Sequence, residues 1–275
     1  MPDYIGPNAF ILIRVLCATI LFWALFIFSR EKIAKKDVLR LLLAGLFGVS
    51  LNQLLFFNGL MLTSPVNSSI IMTSTPILVF VLSMFFLKEK LTWLKGIGIL
   101  LGSAGAVTLI FMSRTGDAHS SPLGDLFIFL NAMSYGMYLV VVKPLMQKYK
   151  PMTVITWAFT FGLIFVLLYP GTWPQIADFV QNPVPVEIWY RIAFVVIFVT
   201  FFAYLFNVIA LKHVSPTVTS SYIYFQPLLA ALFVVLFFYL GLEDYRGSLT
   251  WTKALCGLLI FIGVYLISKK GKKVA

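Results

Sequence analysis

Apolar positions run through this chain in nine stretches of about twenty residues, each closed off by a short polar segment. The pattern predicts helices over 8–29, 38–61, 64–87, 92–112, 122–143, 152–170, 188–211, 215–240 and 250–268. Strands of a membrane barrel would instead alternate apolar and polar residues over about ten positions. A run of about twenty is the length of a helix crossing a hydrocarbon layer of about 30 Å. Inside that layer every backbone N–H and C=O must be satisfied within the protein, which leaves helices or a closed barrel. The expected fold class is all-α, a polytopic transmembrane helix bundle with nine helices.

Composition agrees. Hydrophobic residues make up 60% of the 275 positions and charged residues 11%, against about 25% charged in a soluble domain. The net charge of +11 raises nucleic acid as a partner, but its distribution argues otherwise. Sixteen of the 21 lysines and arginines fall in alternate loops and the tail: Arg30, Lys32, Lys35, Lys36 and Arg40; Lys88, Lys90 and Lys95; Lys143, Lys148 and Lys150; Lys212; and Lys269, Lys270, Lys272 and Lys273. The opposite loops hold Arg114, Arg191, Arg246 and Lys253. Such asymmetry is the positive-inside signal. It predicts a multi-pass protein of the plasma membrane (the inner membrane if bacterial), with the N-terminus outside and the C-terminus cytoplasmic. Its partners are then membrane lipid and a small-molecule solute, with no nucleic acid. Oligomeric state is open.

Within this pattern the chain repeats itself. Ser64 to Pro76 (SPVNSSIIMTSTP) recurs as Ser215 to Pro227 (SPTVTSSYIYFQP). Each copy leads into an apolar run, an acidic residue (Glu89, Glu243), Leu-Thr-Trp (Leu91 to Trp93, Leu249 to Trp251), a lysine and another apolar run, with Gly105 matching Gly263. Working backwards, the sixth and seventh runs match the first and second, and Pro151 matches Pro7. By the loop charges the third run and its partner, the eighth, cross in opposite directions, so the copies are inverted. Residues 1–115 form the first copy with four helices and residues 121–270 the second with five. The fifth helix has no partner, as in a five-plus-five protein whose first helix is missing. That places roughly 25–35 residues, one helix and a turn, ahead of Met1.

Ser-Pro at a helix start, a mid-helix proline, an acidic residue after an apolar run and a glycine-rich last helix, all in duplicate, resemble the drug/metabolite transporter superfamily, EamA type. The resemblance covers nearly the whole chain. It implies a ten-helix inverted-repeat carrier, commonly an exporter of amino acids or related metabolites.

The candidate residues are polar groups inside apolar runs. Arg14 is the charge that lies well within a span, about seven residues from its outer end, and an intramembrane arginine marks a functional site by default. It either binds a carboxylate or phosphate on the solute or snorkels to the outer interface. Pro76 and Pro227 sit near the middle of their helices and free the carbonyls of Met72 and Ile223. They read as a pair of hinges, or as kinks tolerated by neighbouring hydroxyls. Larger polar and aromatic groups in these spans are expected to face the interior and contact solute: Asn52, Gln53, Asn67, Tyr135, Tyr138, Trp157, Tyr204, Asn207, Tyr224 and Gln226. Asn58 is a further interior candidate. Asn131, Ser134, Tyr135 and Tyr138 share one helix face by their spacing.

Other chemistry is missing from the chain. There is no phosphate-binding G-x-x-x-x-G-K-[ST] loop. No His, Cys, Asp or Glu cluster has metal-ligand spacing, and Cys17 and Cys256 read as buried structural thiols. All ten acidic residues sit at or beyond span ends, so a carboxylate proton relay is not expected. No catalytic group, metal or cofactor is therefore expected, and the chain is read as not an enzyme. The leading expectation is a secondary transporter exporting a small organic metabolite, an efflux role worked by alternating access between inverted repeats. A non-transporting membrane subunit or scaffold is the alternative, and an integral-membrane enzyme the third reading.

Overall fold

A computed structural model describes residues 4–27, 31–63, 68, 71–90, 92–112, 121–182, 184–226 and 251–268, together with residues 229, 232, 236 and 239. The positions Ser64, Pro65, Asn67, Ser69, Leu91, Pro227, Glu243 and Leu249, the tail lysines and the loops carrying Arg114, His119 and Arg246 lie outside the described residues.

The described residues are helical over most of the predicted spans. In chain order they are α1 (Pro7–Phe26), α2 (Lys35–Leu60), α3 (Thr75–Leu87), α4 (Trp93–Met112), α5 (Pro122–Met146), α6 (Pro151–Leu168), α7 (Thr172–Gln181), α8 (Val186–His213), α9 (Pro216–Ser221) and α10 (Trp251–Ser268). Five of them, α1, α2, α5, α6 and α8, are long and apolar enough to cross a membrane. The protein is an all-α polytopic bundle. Five helices, α1, α3, α5, α6 and α9, carry proline at the first or second helical position. There its fixed φ suits the helix and its missing N–H costs nothing. In two of these Ser121 and Ser215 accept backbone N–H bonds as caps. The sequence pattern did not announce α7, a short helix between α6 and α8 with Trp173 exposed on its surface.

The core is formed by the five long helices. Val15, Ala18 and Phe22 of α1 meet Tyr138, Leu139 and Val142 of α5, Ile155 and Phe159 of α6, and Phe201 and Val208 of α8. Large apolar side chains such as Ile20, Leu100, Phe198, Phe206 and Phe261 are exposed on the outside, where lipid takes the place of water as their solvent. Glycine sets the closest contacts. A Cβ on Gly45 would lie 2.6 Å from the Ala158 carbonyl oxygen, which fixes how near α2 comes to α6.

Two contacts show how the copies face each other. In α4 and α10, Gly98 lies against Gly263, where a Cβ would come within 2.6 Å of a carbonyl oxygen, and Gly105 lies against Cys256 at 2.8 Å. Numbers rise along one helix as they fall along the other, so α4 and α10 pack antiparallel. The offset from Trp93 to Trp251 is 158 positions, and it converts the first pair into the second. The second contact is a reciprocal cap. Gln175, on α7, accepts the Asn8 N–H at 2.7 Å and the Ala9 N–H at 3.4 Å, at the start of α1. Glu31, between α1 and α2, accepts the Lys150 N–H at 2.9 Å and the Thr153 hydroxyl at 2.7 Å, at the start of α6. Pro7 and Pro151 are 144 positions apart, and so are Glu31 and Gln175. Each copy caps the other.

Candidate functional site

Two helices depart from regular geometry at corresponding places. α2 contains a π-helical turn over Leu46–Ser50 and α8 one over Val195–Phe202. Such turns shift the carbonyls that follow the regular ladder and often accompany functional sites. In α2 the shifted carbonyls find partners on other helices. Ser134 on α5 donates to the Phe47 carbonyl at 2.7 Å, and the Tyr204 hydroxyl donates to the Gly48 carbonyl at 3.1 Å. Position 48 must be glycine for this approach, because a Cβ would sit 2.1 Å from the ring of Tyr138.

Beside these turns lies a cavity of about 360 Å³. Its lining includes Asn52, Gln53, Phe56 and Phe57 of α2, with Asn131, Tyr135 and Tyr138 of α5. Val199, Ala203, Tyr204 and Asn207 of α8 form another wall, and Arg14, Met72, Ile223 and Gln226 complete it. The two copies contribute in register: Asn52 with Ala203, Gln53 with Tyr204, Phe56 with Asn207 and Met72 with Ile223 are each 151 positions apart, the offset from Pro65 to Pro216. The helix break that admits Met72 is local. Pro76 is in the first turn of α3, and Ser74 before it bonds back to Ile71 through both its N–H and its hydroxyl. In the other copy α9 gives way to a 3-10 turn over Tyr222–Phe225, the segment containing Ile223.

The cavity wall carries polar groups within an apolar lining, and no acid. Asn131 donates its amide to the Asn52 carbonyl at 2.6 Å, which fixes its oxygen as the free atom, and Asn207 donates to the Tyr135 hydroxyl at 2.7 Å. The Oδ1 atoms of Asn131 and Asn207 and the Tyr138 hydroxyl are buried and bond to none of the described residues. Each such group costs about 1–3 kcal/mol in a dry interior. Arg14 is 6% exposed. Its Nε donates to the Thr200 hydroxyl at 3.0 Å, and its guanidinium lies 5.3 Å and 5.1 Å from the ring centres of Phe10 and Phe57. The ion pairs among the described residues, Lys95 with Glu89 and Lys148 with Asp37, lie elsewhere. No described carboxylate pairs with Arg14.

Of the residues named from sequence, Arg14, Asn52, Gln53, Tyr135, Tyr138, Tyr204, Asn207 and Gln226 come together here. Two do not. Trp157 lies against Trp23 and Phe161, 5.6 Å and 5.8 Å between ring centres. Tyr224 packs onto Cys256, Ile260 and Val264 of α10; one position on from Ile223 in the 3-10 turn, it is turned by about 120° from the cavity. Asn67 and Pro227 lie outside the described residues. Asn58 serves structure, donating to Asn8 at 2.8 Å. Phe56, Phe57, Val199, Ala203 and Thr200 carried no signal, since each is an ordinary residue of an apolar run.

Comparison with known proteins agrees with this architecture. Residues 1–111 and 122–269 match the EamA-like transporter family. An uncharacterized transporter of Archaeoglobus fulgidus is 26% identical over 97% of this chain and 90% of its own length. The uncharacterized transporter YyaM of Bacillus subtilis is 25% identical over 72% of this chain and 65% of its own. The WAT1-related protein At2g40900 of Arabidopsis thaliana is 24% identical over 86% of this chain and 64% of its own. A solved crystal structure shares the fold with a TM-score of 0.71 at 19% identity, covering 95% of this chain and 87% of that one.

Proposed function

The chain belongs to the EamA-like transporter family and is a multi-pass membrane transporter, and from that premise we propose that it is a secondary carrier exporting a small organic metabolite, such as an amino acid. The solute sits in the cavity between the two copies, with its anionic group at Arg14. The loop charges support a cytoplasmic C-terminus, in the plasma membrane. The two copies, residues 1–115 and 121–270, rock against each other about Pro76 and Pro227 to expose the cavity to each side in turn.

One observation carries this reading. The Oδ1 atoms of Asn131 and Asn207 and the Tyr138 hydroxyl, buried in the cavity wall, bond to none of the described residues. A solute with a polar headgroup satisfies them, and Arg14 supplies the counter-charge for a carboxylate. Aromatic rings of Phe56, Phe57 and Tyr135 surround the remaining volume, which suits an organic body better than a bare ion.

Flux in proteoliposomes against a panel of labelled amino acids and metabolites tests the proposal. Transport of at least one compound is expected, falling at least tenfold in Arg14→Gln and in Pro76→Ala at unchanged abundance. Wild-type vesicles that move none of the panel would sink the carrier reading for these solutes and favour a scaffold.

A further inference from the structure

Arg14 is held by a device that lies on α8. The π turn places the Val195 carbonyl five residues behind Thr200, and the Thr200 hydroxyl donates to it at 3.0 Å. That bond uses the one proton the hydroxyl has. Toward Arg14 the oxygen can then act only as an acceptor, and it takes the Nε–H at 3.0 Å. Thr200 is fully buried. The rings of Phe10 and Phe57 lie 5.3 Å and 5.1 Å from the guanidinium carbon, within the range of a cation–π contact. A guanidinium is rigid and planar, with Nε and the two Nη groups fixed about one carbon. With Nε anchored and the rings packed against it, the Nη fork has a set direction.

We propose that Thr200 is a positioning residue: bonded to the π turn, it orients the Arg14 fork for two-point contact with a carboxylate on the solute. This rests on the solute role given to Arg14 above and adds the group that makes its geometry selective. In a regular helix Thr200 would bond four residues back, at Val196; the π turn is what brings the Val195 carbonyl into reach.

The test pairs acids with amides that lack the carboxylate: benzoate with benzamide, and phenylalanine with phenylalaninamide. Binding to purified protein is read from the concentration dependence of the thermal unfolding midpoint. Thr200→Val keeps the shape of the side chain and removes the acceptor, and Thr200→Ser keeps the acceptor. For a pair in which wild type prefers the acid, Thr200→Val should weaken acid binding about tenfold, with the amide changed less than twofold. Thr200→Ser should restore the preference. Ligand-free midpoints report folding, and a merely structural threonine would lower them without moving the acid-to-amide ratio. An unchanged ratio in Thr200→Val, with the ratio lost in Arg14→Gln, overturns the positioning role alone. A ratio unchanged in both variants, or no preference in the wild type, overturns the role of Arg14 as well.

Discussion

Tyr138 shows what a single side chain reveals in this molecule. Its ring is fully buried in the core and lies against Gly48, yet its hydroxyl bonds to none of the described residues. A hydroxyl kept only for packing would be a liability of about 1–3 kcal/mol. Tyr138→Phe should therefore leave the thermal midpoint unchanged or raise it, while weakening solute binding about tenfold. A lower midpoint with normal binding would show that the hydroxyl serves the fold. At this scale the sequence was readable where a polar residue interrupts an apolar run: Arg14, Asn52, Gln53, Asn131 and Asn207 stand out because lipid would not tolerate them. It was unreadable where chemistry hides in ordinary residues. Phe57 looks like any lipid-facing phenylalanine, and only the fold places it beside Arg14. Trp157 and Tyr224 were polar enough to attract notice, but helix phase turns each toward another helix.

Helix positions followed from apolar run length, since a segment of that length has one stable form in lipid. What run length cannot report is irregularity inside a run. The π turns of α2 and α8 occur in sequences, LFGVS and VVIFVTFF, with no proline and no charged residue. α7 was missed for a different reason: at ten residues with a mixed surface, TWPQIADFVQ reads as loop. The glycine contact between α4 and α10 was half legible. Gly98 and Gly102 stand four positions apart, a spacing that permits close helix packing, whereas their partner, Gly263, entered the sequence reading only as a repeat match. A Cβ on Gly263 would meet the Gly102 nitrogen at 2.6 Å and the Gly98 oxygen at 2.7 Å, both backbone atoms that cannot turn aside. Gly263→Ala should cost about 1–3 kcal/mol, seen as a lower unfolding midpoint. Gly136→Ala, whose nearest neighbour is the mobile tip of Leu82 at 2.9 Å, is the control and should cost much less.

Over the whole molecule, duplication was the most informative thing in the sequence. Repeated prolines and Leu-Thr-Trp segments gave the offsets, and those offsets recur in the structure as paired contacts and paired cavity walls. Which loops face which side rests on the lysines and arginines alone. The cavity itself was not legible as a volume. Its walls come from α1, α2, α5 and α8 and from the turns around Met72 and Ile223, and no local pattern records how far apart such segments pack.

The reciprocal cap between Glu31 and Gln175 has a consequence for ancestry. A contact in which each copy completes the other is the self-complementary kind found in symmetric dimers. It is what would remain if two separate chains, related by a two-fold axis, had later been joined by a linker. Such a linker adds effective concentration and no contact of its own. Coexpressed as unlinked polypeptides, residues 1–115 and 121–270 should therefore copurify from membranes. Replacing Glu31 and Gln175 together by alanine should loosen that association. Halves that purify apart would mean that the linker, and not the inherited contact, holds the protein together.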